Sequence, residues 1–313
     1  MSGIDLLLRT AIDYERTHHI VLYTLLTKSK MSEMLLNVAT PKEIHWEPEG
    51  QLFDLAVEQG KTTYIELKMW SSLTDSQLKR QVTFLKEKKS RGVYILLGTS
   101  WFERTGKSIS DASEGLASRI GYDELISSLN QLMVATGQPP EVYELALAYR
   151  NAVQEQYNRI HDAYISKQDE KLYYYAIYHE IQSRLKDMET GIYTVNNRGG
   201  PVYILNNSDY WLDFKYDGAE GQLYYEIVNG RLCIKFYVEA PNETKYKLRD
   251  SLRDAIRKVY GTDYKIVDSG RLGAYMTACQ VEYDFTDIKN FEESARIFSD
   301  IGLKLEKVLK GIS

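Results

Sequence analysis

TTYIELKMWSSLTDSQLKRQ, residues 62–81, decides how the first half of this chain is read. From Ile65 to Met69 it alternates, so a strand here turns Ile65, Leu67 and Met69 to one face and Glu66 and Lys68 to the other. Such a strand is either a half-buried surface strand or one that carries charged groups into a covered sheet. Its neighbours decide. Upstream, QLFDLAVE (51–58) reads as a second strand, joined to the first by the hairpin loop Gln59-Gly60-Lys61. A loop centred on Gly60 sets Asp54 opposite Glu66, with Cβ atoms roughly 4.5–5.5 Å apart. Two like charges there repel unless a cation lies between them, and carboxylate oxygens hold Mg²⁺ at about 2.0–2.1 Å. Lys68, next along the same face, points into the same space. Downstream, Thr74 and Gln77 stand at capping-box spacing and open a helix whose inner face is Leu78, Val82 and Leu85. GVYILLG (92–98) is a continuous apolar run, which reads as a strand buried on both faces. Beside such a strand, the surface reading leaves an uncompensated acidic pair on a sheet that helices cover.

The rest of the chain fits two domains. It has 313 residues, 43% hydrophobic and 27% charged, the balance of an ordinary globular protein. No apolar run approaches the roughly 18–20 residues that span a bilayer, and no signal-peptide pattern opens the chain, so a cytoplasmic location and no membrane partner are expected. Cys233 and Cys279 fall in strand-like segments and are expected to be buried, reduced thiols. A formal net charge of −5 gives no overall attraction to nucleic acid, so any such binding needs positive charge concentrated locally. Helices are expected over 3–28, broken near Asp13, and over 32–38, with strands at 43–47 and 119–122. ATGQPP (135–140) concentrates turn signals and is taken as a domain boundary. Two helices follow to about 187, parted near 166–169, and antiparallel strands begin at Gly191. QLYYEIV and RLCIKFYVE flank Asn229-Gly230, a two-residue hairpin turn. A helix over 243–260, strands at 263–268 and 274–285, and a last helix from Asn290 complete the reading. NNRGGP (196–201) lies between strands and reads as a turn rather than a phosphate loop.

FD at 53–54, IELK at 65–68 and a following helix bearing Gln77 together resemble the PD-(D/E)XK nuclease superfamily. ERTHHIVLYTLL, before IELKMWSSLTDSQLKRQ, resembles a bacterial branch of it, over residues of about 10–130. Phe53 stands where the motif's name has proline. The resemblance implies Asp54 and Glu66 as metal-holding carboxylates, Lys68 as catalytic lysine, Glu15 as a helix-borne carboxylate completing the site, and Gln77 as an accessory polar residue. Gln77 is also read as a cap residue, and Glu15 as a solvated helix charge. The implied cofactor is Mg²⁺ or Mn²⁺, and the implied setting is bacterial nucleic-acid processing or defence.

His18 and His19 are adjacent, so on a helix they point about 100° apart and do not serve one site together. No metal role is assigned to them or to His45, His161 and His179. Lys79, Arg80, Lys86, Lys88, Lys89 and Arg91, close to the site in the chain, are the candidate nucleic-acid contacts. Lys245, Arg249, Arg253 and Arg257 recur every four residues beside an apolar face and are read as a solvated stripe with acidic partners. The expectation is therefore an α/β nuclease-like N-terminal domain (1–138) with a mixed central sheet flanked by helices. A helical connection (139–190) leads into an α+β domain with an antiparallel sheet (191–313), whose role stays open. The expected activity is metal-dependent hydrolysis of phosphodiester bonds, with DNA as partner and a homodimer left open. The alternative is a non-catalytic nucleic-acid- or protein-binding module on the nuclease fold.

Overall fold

The computed structural model describes residues 3–39, 41–48, 52–104, 106–167, 169–185, 188–197, 199–207, 209–269 and 275–312. Gln51, Gln168, Asp187, Arg198 and Ala274, which belong to segments read above, lie outside the described residues. The chain forms two compact units, residues 1–162 and 163–313.

The first unit opens with helices α1 (Gly3–Ala11), α2 (Glu15–Lys28) and α3 (Met31–Leu36). Strands β1 (Glu43–Trp46), β2 (Leu55–Gln59) and β3 (Lys61–Lys68) then run as an antiparallel meander. After α4 (Asp75–Lys88) the chain returns in β4 (Arg91–Leu96), parallel to β3, and after α5 (Gly98–Glu103) and α6 (Gly106–Ala112) in β5 (Ala117–Ile120), parallel to β4. Helices α7 (Tyr122–Val134) and α8 (Pro140–His161) complete the unit. The result is a mixed five-stranded sheet in the order β1-β2-β3-β4-β5.

The hairpin register is the expected one. Leu55 pairs with Ile65, and Gln59 with Lys61, around Gly60, whose φ of 67° a side chain rarely adopts. The ladder stops one pair short of the site, however. Asp54 precedes β2, and its N–H donates to the Ile65 carbonyl (2.9 Å) out of regular register. It is therefore not Glu66's ladder partner.

Both faces of β3 and β4 are covered, which settles the surface alternative for the strand. Ile65, Leu67 and Met69 are buried, and so is Glu66 at 3% exposure. Helix α4 lays Leu78, Val82 and Leu85 into one cluster with Phe53, Tyr94, Leu96, Ile109 and Ala117. Burying each of the larger side chains contributes about 1.5–3 kcal/mol.

The boundary expected at 138 is displaced. Helix α8 packs on α1, α2 and α7, so it belongs to the first unit and the division falls after Asp162. A buried polar chain ties it there. The Gly98 N–H donates to Tyr122 Oη (2.9 Å), Tyr122 Oη donates to Gln156 Oε1 (2.7 Å), and Gln156 Nε2 donates to the Ile12 carbonyl (3.0 Å). His18 Nε2 shares that carbonyl (2.7 Å) and its Nδ1 meets Tyr149 Oη (2.7 Å). Burial, against the pull of the Ile12 carbonyl, holds the His18 imidazole down to about 4, so it is neutral at physiological pH. These bonds fix the break between α1 and α2, and so where Glu15 stands.

Gly98 is the tightest point of this frame. Its φ is +53°, and a Cβ there would lie 2.7 Å from the Met69 carbonyl oxygen. Gly98→Ala is expected to destabilise the protein by roughly 2–4 kcal/mol, through left-handed strain plus overpacking. Urea unfolding measures it, and a loss below about 0.5 kcal/mol contradicts the described backbone.

The second unit holds α9 (Ala163–Ser166), α10 (Glu170–Gln182), β6 (Thr190–Asn197), β7 (Gly200–Asn207), β8 (Leu212–Tyr216), β9 (Ala219–Val228) and β10 (Arg231–Val238). It ends with α11 (Asn242–Tyr260), β11 (Ile266–Asp268), β12 (Tyr275–Val281) and α12 (Phe291–Leu309). Its seven strands form one antiparallel sheet, ordered β11-β12-β10-β9-β7-β6 with β8 on β9. Asn229 and Gly230, at φ 46° and 76°, make the expected two-residue turn between β9 and β10. Tyr225 of β9 packs against Phe298 of α12, and on the opposite face buried Glu226 pairs with Lys235 at 2.6 Å. Cys233 and Cys279 are buried free thiols, and burial pushes them up to about 11 and 12. Along α11, Arg253 donates to the carbonyls of Ser269 and Ala278, and Arg257 pairs with Asp268. Those two arginines of the stripe are spent on their own fold.

Candidate functional site

The end of β3 collects Glu15, Asp54, Glu66, Lys68 and Gln77. Lys68 Nζ lies 2.8 Å from Glu66 Oε1 and 4.0 Å from Glu15 Oε1. Gln77 Nε2 donates to the same Glu66 oxygen at 2.7 Å. Of the capping box read from the sequence, only the Thr74 half forms. The Gln77 backbone N–H donates to the N-cap Thr74 Oγ1 (3.2 Å), while its side chain turns to Glu66.

Asp54 and Glu15 are anchored differently. β3 runs on to Lys68, whereas β2 begins only at Leu55, so Leu67 and Met69 have no ladder partner on that side. The carboxylates take the strand's place. The Leu67 N–H donates to Asp54 Oδ2 (2.7 Å), and the Met69 N–H donates to Glu15 Oε2 (3.1 Å). Gln77 and Lys68 meet Glu66 through Oε1 alone. Each acid therefore has one oxygen fixed by the protein and presents the other, the arrangement that orients metal-binding carboxylates.

His19 is the site residue that the sequence reading missed. Its Nε2 is 3.3 Å from Asp54 Oδ2, and its ring meets Trp46 edge-on at 6.0 Å. The signal was available, since Glu15 and His19 are four residues apart and share one face of α2. His18 points elsewhere, as adjacency requires.

Burial first, and the Asp54 charge second, push the Glu66 carboxyl up to about 7, against the opposing pull of Lys68 and Gln77. Burial works against the Lys68 ammonium, but Glu66, then Glu15 and Asp54, raise its pKa above the ordinary value. The chemistry of this donor set fits a hard divalent cation. A cation would relieve the repulsion between Asp54 and Glu66, and all three acids offer oxygen. They are not gathered as a ready cage. Among the described residues of the first unit, the group whose three ligand atoms lie within 4.8 Å of one another is Glu43, His45 and Glu58.

The raised Glu66 value has a measurable sign. The folded state holds this proton more tightly than the unfolded chain, so metal-free stability from Glu66 is greatest below pH 4.5 and falls as pH rises towards 7. The full interval corresponds to about 3 kcal/mol. Glu66→Gln is expected to remove that slope, and parallel pH profiles of melting temperature for the two proteins, without metal, would refute the assignment.

The candidate nucleic-acid contacts divide. Lys79 and Arg80 are exposed on α4, and Lys88 lies over the Phe84 ring at 5.8 Å. Lys89 is exposed and ends the helix in left-handed conformation. Lys86 is paired with Glu114 at 2.7 Å. Arg91 is not a surface contact. It is half-buried and donates to Thr63 Oγ1 (2.6 Å) and the Leu36 carbonyl (2.7 Å), which stitches β4 to β3 and α3.

Comparison of the chain with protein-family models, with curated proteins and with solved structures finds no match. No helix among the described residues is long and apolar enough to cross a membrane.

Proposed function

We propose that the first unit is a divalent-metal-dependent nuclease of PD-(D/E)XK type that hydrolyses phosphodiester bonds, with DNA the first substrate to test. One observation carries the reading: Glu15, Asp54, Glu66, Lys68 and Gln77, from four separate segments, meet at the end of β3. Asp54 and Glu66 would hold Mg²⁺ or Mn²⁺, with Glu15 beside them. Such an ion lowers the pKa of a bound water and polarises the phosphate. Lys68 would meet the charge that develops on a phosphate oxygen, and Gln77 holds Glu66 in place. Lys79 and Arg80 supply sequence-independent phosphate contacts.

A non-catalytic binding module is the second reading. It is favoured by the direct Lys68–Glu66 pair, which compensates the Glu66 charge without an ion. The deciding experiment incubates the purified chain with supercoiled, linear and single-stranded DNA and with RNA, in Mg²⁺, Mn²⁺ or chelator. Cleavage that needs metal and vanishes in Asp54→Asn is expected. An intact set of substrates, with a melting temperature that Mg²⁺ does not move, sinks the nuclease and leaves the module.

A further inference from the structure

A second donor set lies on β1 and β2 and shares no residue with the site above. Glu43 and Glu58 are direct partners across this antiparallel pair, and His45 follows Glu43 by two residues on the same side of β1. Directly opposed like charges destabilise a strand pair, and a positive group between them offsets this. His45 Nε2 points between the two acids, 3.3 Å from Glu58 Oε1 and 3.8 Å from Glu43 Oε2. This nitrogen is shielded from solvent and makes no hydrogen bond. All three ligand atoms lie within 4.8 Å of one another.

These separations distinguish two explanations. A protonated imidazole bonded to a carboxylate places nitrogen and oxygen about 2.7–2.9 Å apart and in line. Donors held about 2.0–2.2 Å from a tetrahedral ion stand roughly 3.3–3.6 Å from each other. The 3.3 Å separation lies in the second range and the 3.8 Å separation just beyond it, and both are too long for the first. We infer that Glu43, His45 and Glu58 form a binding site for a borderline divalent transition-metal ion, Zn²⁺ in the first instance. Imidazole with two carboxylates suits such an ion better than Mg²⁺, and a water completes four-coordination. Ala56, the strand partner of His45, places no bulk beneath the imidazole. The ion clasps the edge strand β1 onto β2.

The test uses the full chain carrying Asp54→Asn and Glu66→Gln, so that metal binding at the nuclease-like site does not contribute. After chelator treatment it is titrated with Zn²⁺ by calorimetry and with Co²⁺ by visible absorption. One saturable ion, the absorption bands of four-coordinate cobalt and a raised melting temperature are expected. Adding His45→Ala or Glu58→Gln lowers Zn²⁺ affinity about tenfold or more and removes the cobalt bands. Both side chains are partly exposed, and unchanged far-ultraviolet circular dichroism verifies that the variants fold. Absence of saturable binding in the double variant, or binding that neither substitution weakens, overturns the site and leaves an ordinary ion-paired histidine.

Discussion

Lys68→Ala is expected to keep Mg²⁺ binding and to lose cleavage about 100- to 1,000-fold, whereas Asp54→Asn loses both. The asymmetry follows from the geometry. Lys68 touches no backbone donor and contributes only positive charge, 2.8 Å from Glu66 and 4.0 Å from Glu15. Without it the acids attract a cation more strongly, but nothing meets the charge that grows on the phosphate. Asp54→Asn removes a negative charge at nearly constant shape, and its amide oxygen can still accept from the Leu67 N–H. The apo protein should therefore melt no lower than the parent. The measurement is thermal melting of the three proteins with and without Mg²⁺, beside single-turnover cleavage. A Lys68→Ala protein that cuts at the parental rate removes the lysine from the chemistry.

The next largest effect is on folding. Residues 1–162 alone should melt cooperatively, and residues 1–138 should not. Helix α8 buries Val142, Ala146, Tyr149, Ala152, Val153 and Ile160 together with Gln156. At about 1.5–3 kcal/mol for each large apolar side chain, their loss rivals the 5–15 kcal/mol that stabilises a whole domain. It also strands His18 and Tyr122, whose partners Tyr149 and Gln156 lie on α8. Circular dichroism melts of the two fragments decide the point, and a cooperative transition in 1–138 refutes it.

These two predictions mark what was legible in the residues. Local codes read well. Gly60 centres one hairpin and Asn229-Gly230 the other, because positive φ restricts which residues stand there. The alternation Ile65 to Met69 assigned faces correctly, and Thr74 with Gln77 marked the helix start. Long-range partnership did not read. ATGQPP is a true turn between α7 and α8, but a turn does not say whether the helix after it folds back. The answer lay in Ile12, His18 and Tyr122, up to 144 residues away from their partners on α8. Arg91 looked like one more base in a basic run until Thr63 and Leu36 were placed beside it. The departure of Asp54 from the ladder was equally hidden, since nothing in FDLAVE announces where a strand stops pairing.

The two acids that stand in for the missing length of β2 have a consequence for how inactive variants should be made. Asp54 and Glu15 satisfy the buried backbone donors of Leu67 and Met69, where β3 runs past the start of β2. An amide in either position still accepts those bonds, whereas alanine leaves two donors bare beside an apolar strand. Bare buried donors cost about 1–3 kcal/mol each and raise the share of partly unfolded chains, whose exposed apolar surface aggregates. Asp54→Ala and Glu15→Ala together should therefore self-associate during concentration, while Asp54→Asn with Glu15→Gln stays monodisperse on a sizing column at the same concentration. A lost activity measured on the alanine pair would report aggregation as readily as chemistry, so the amide pair is the sound inactive control.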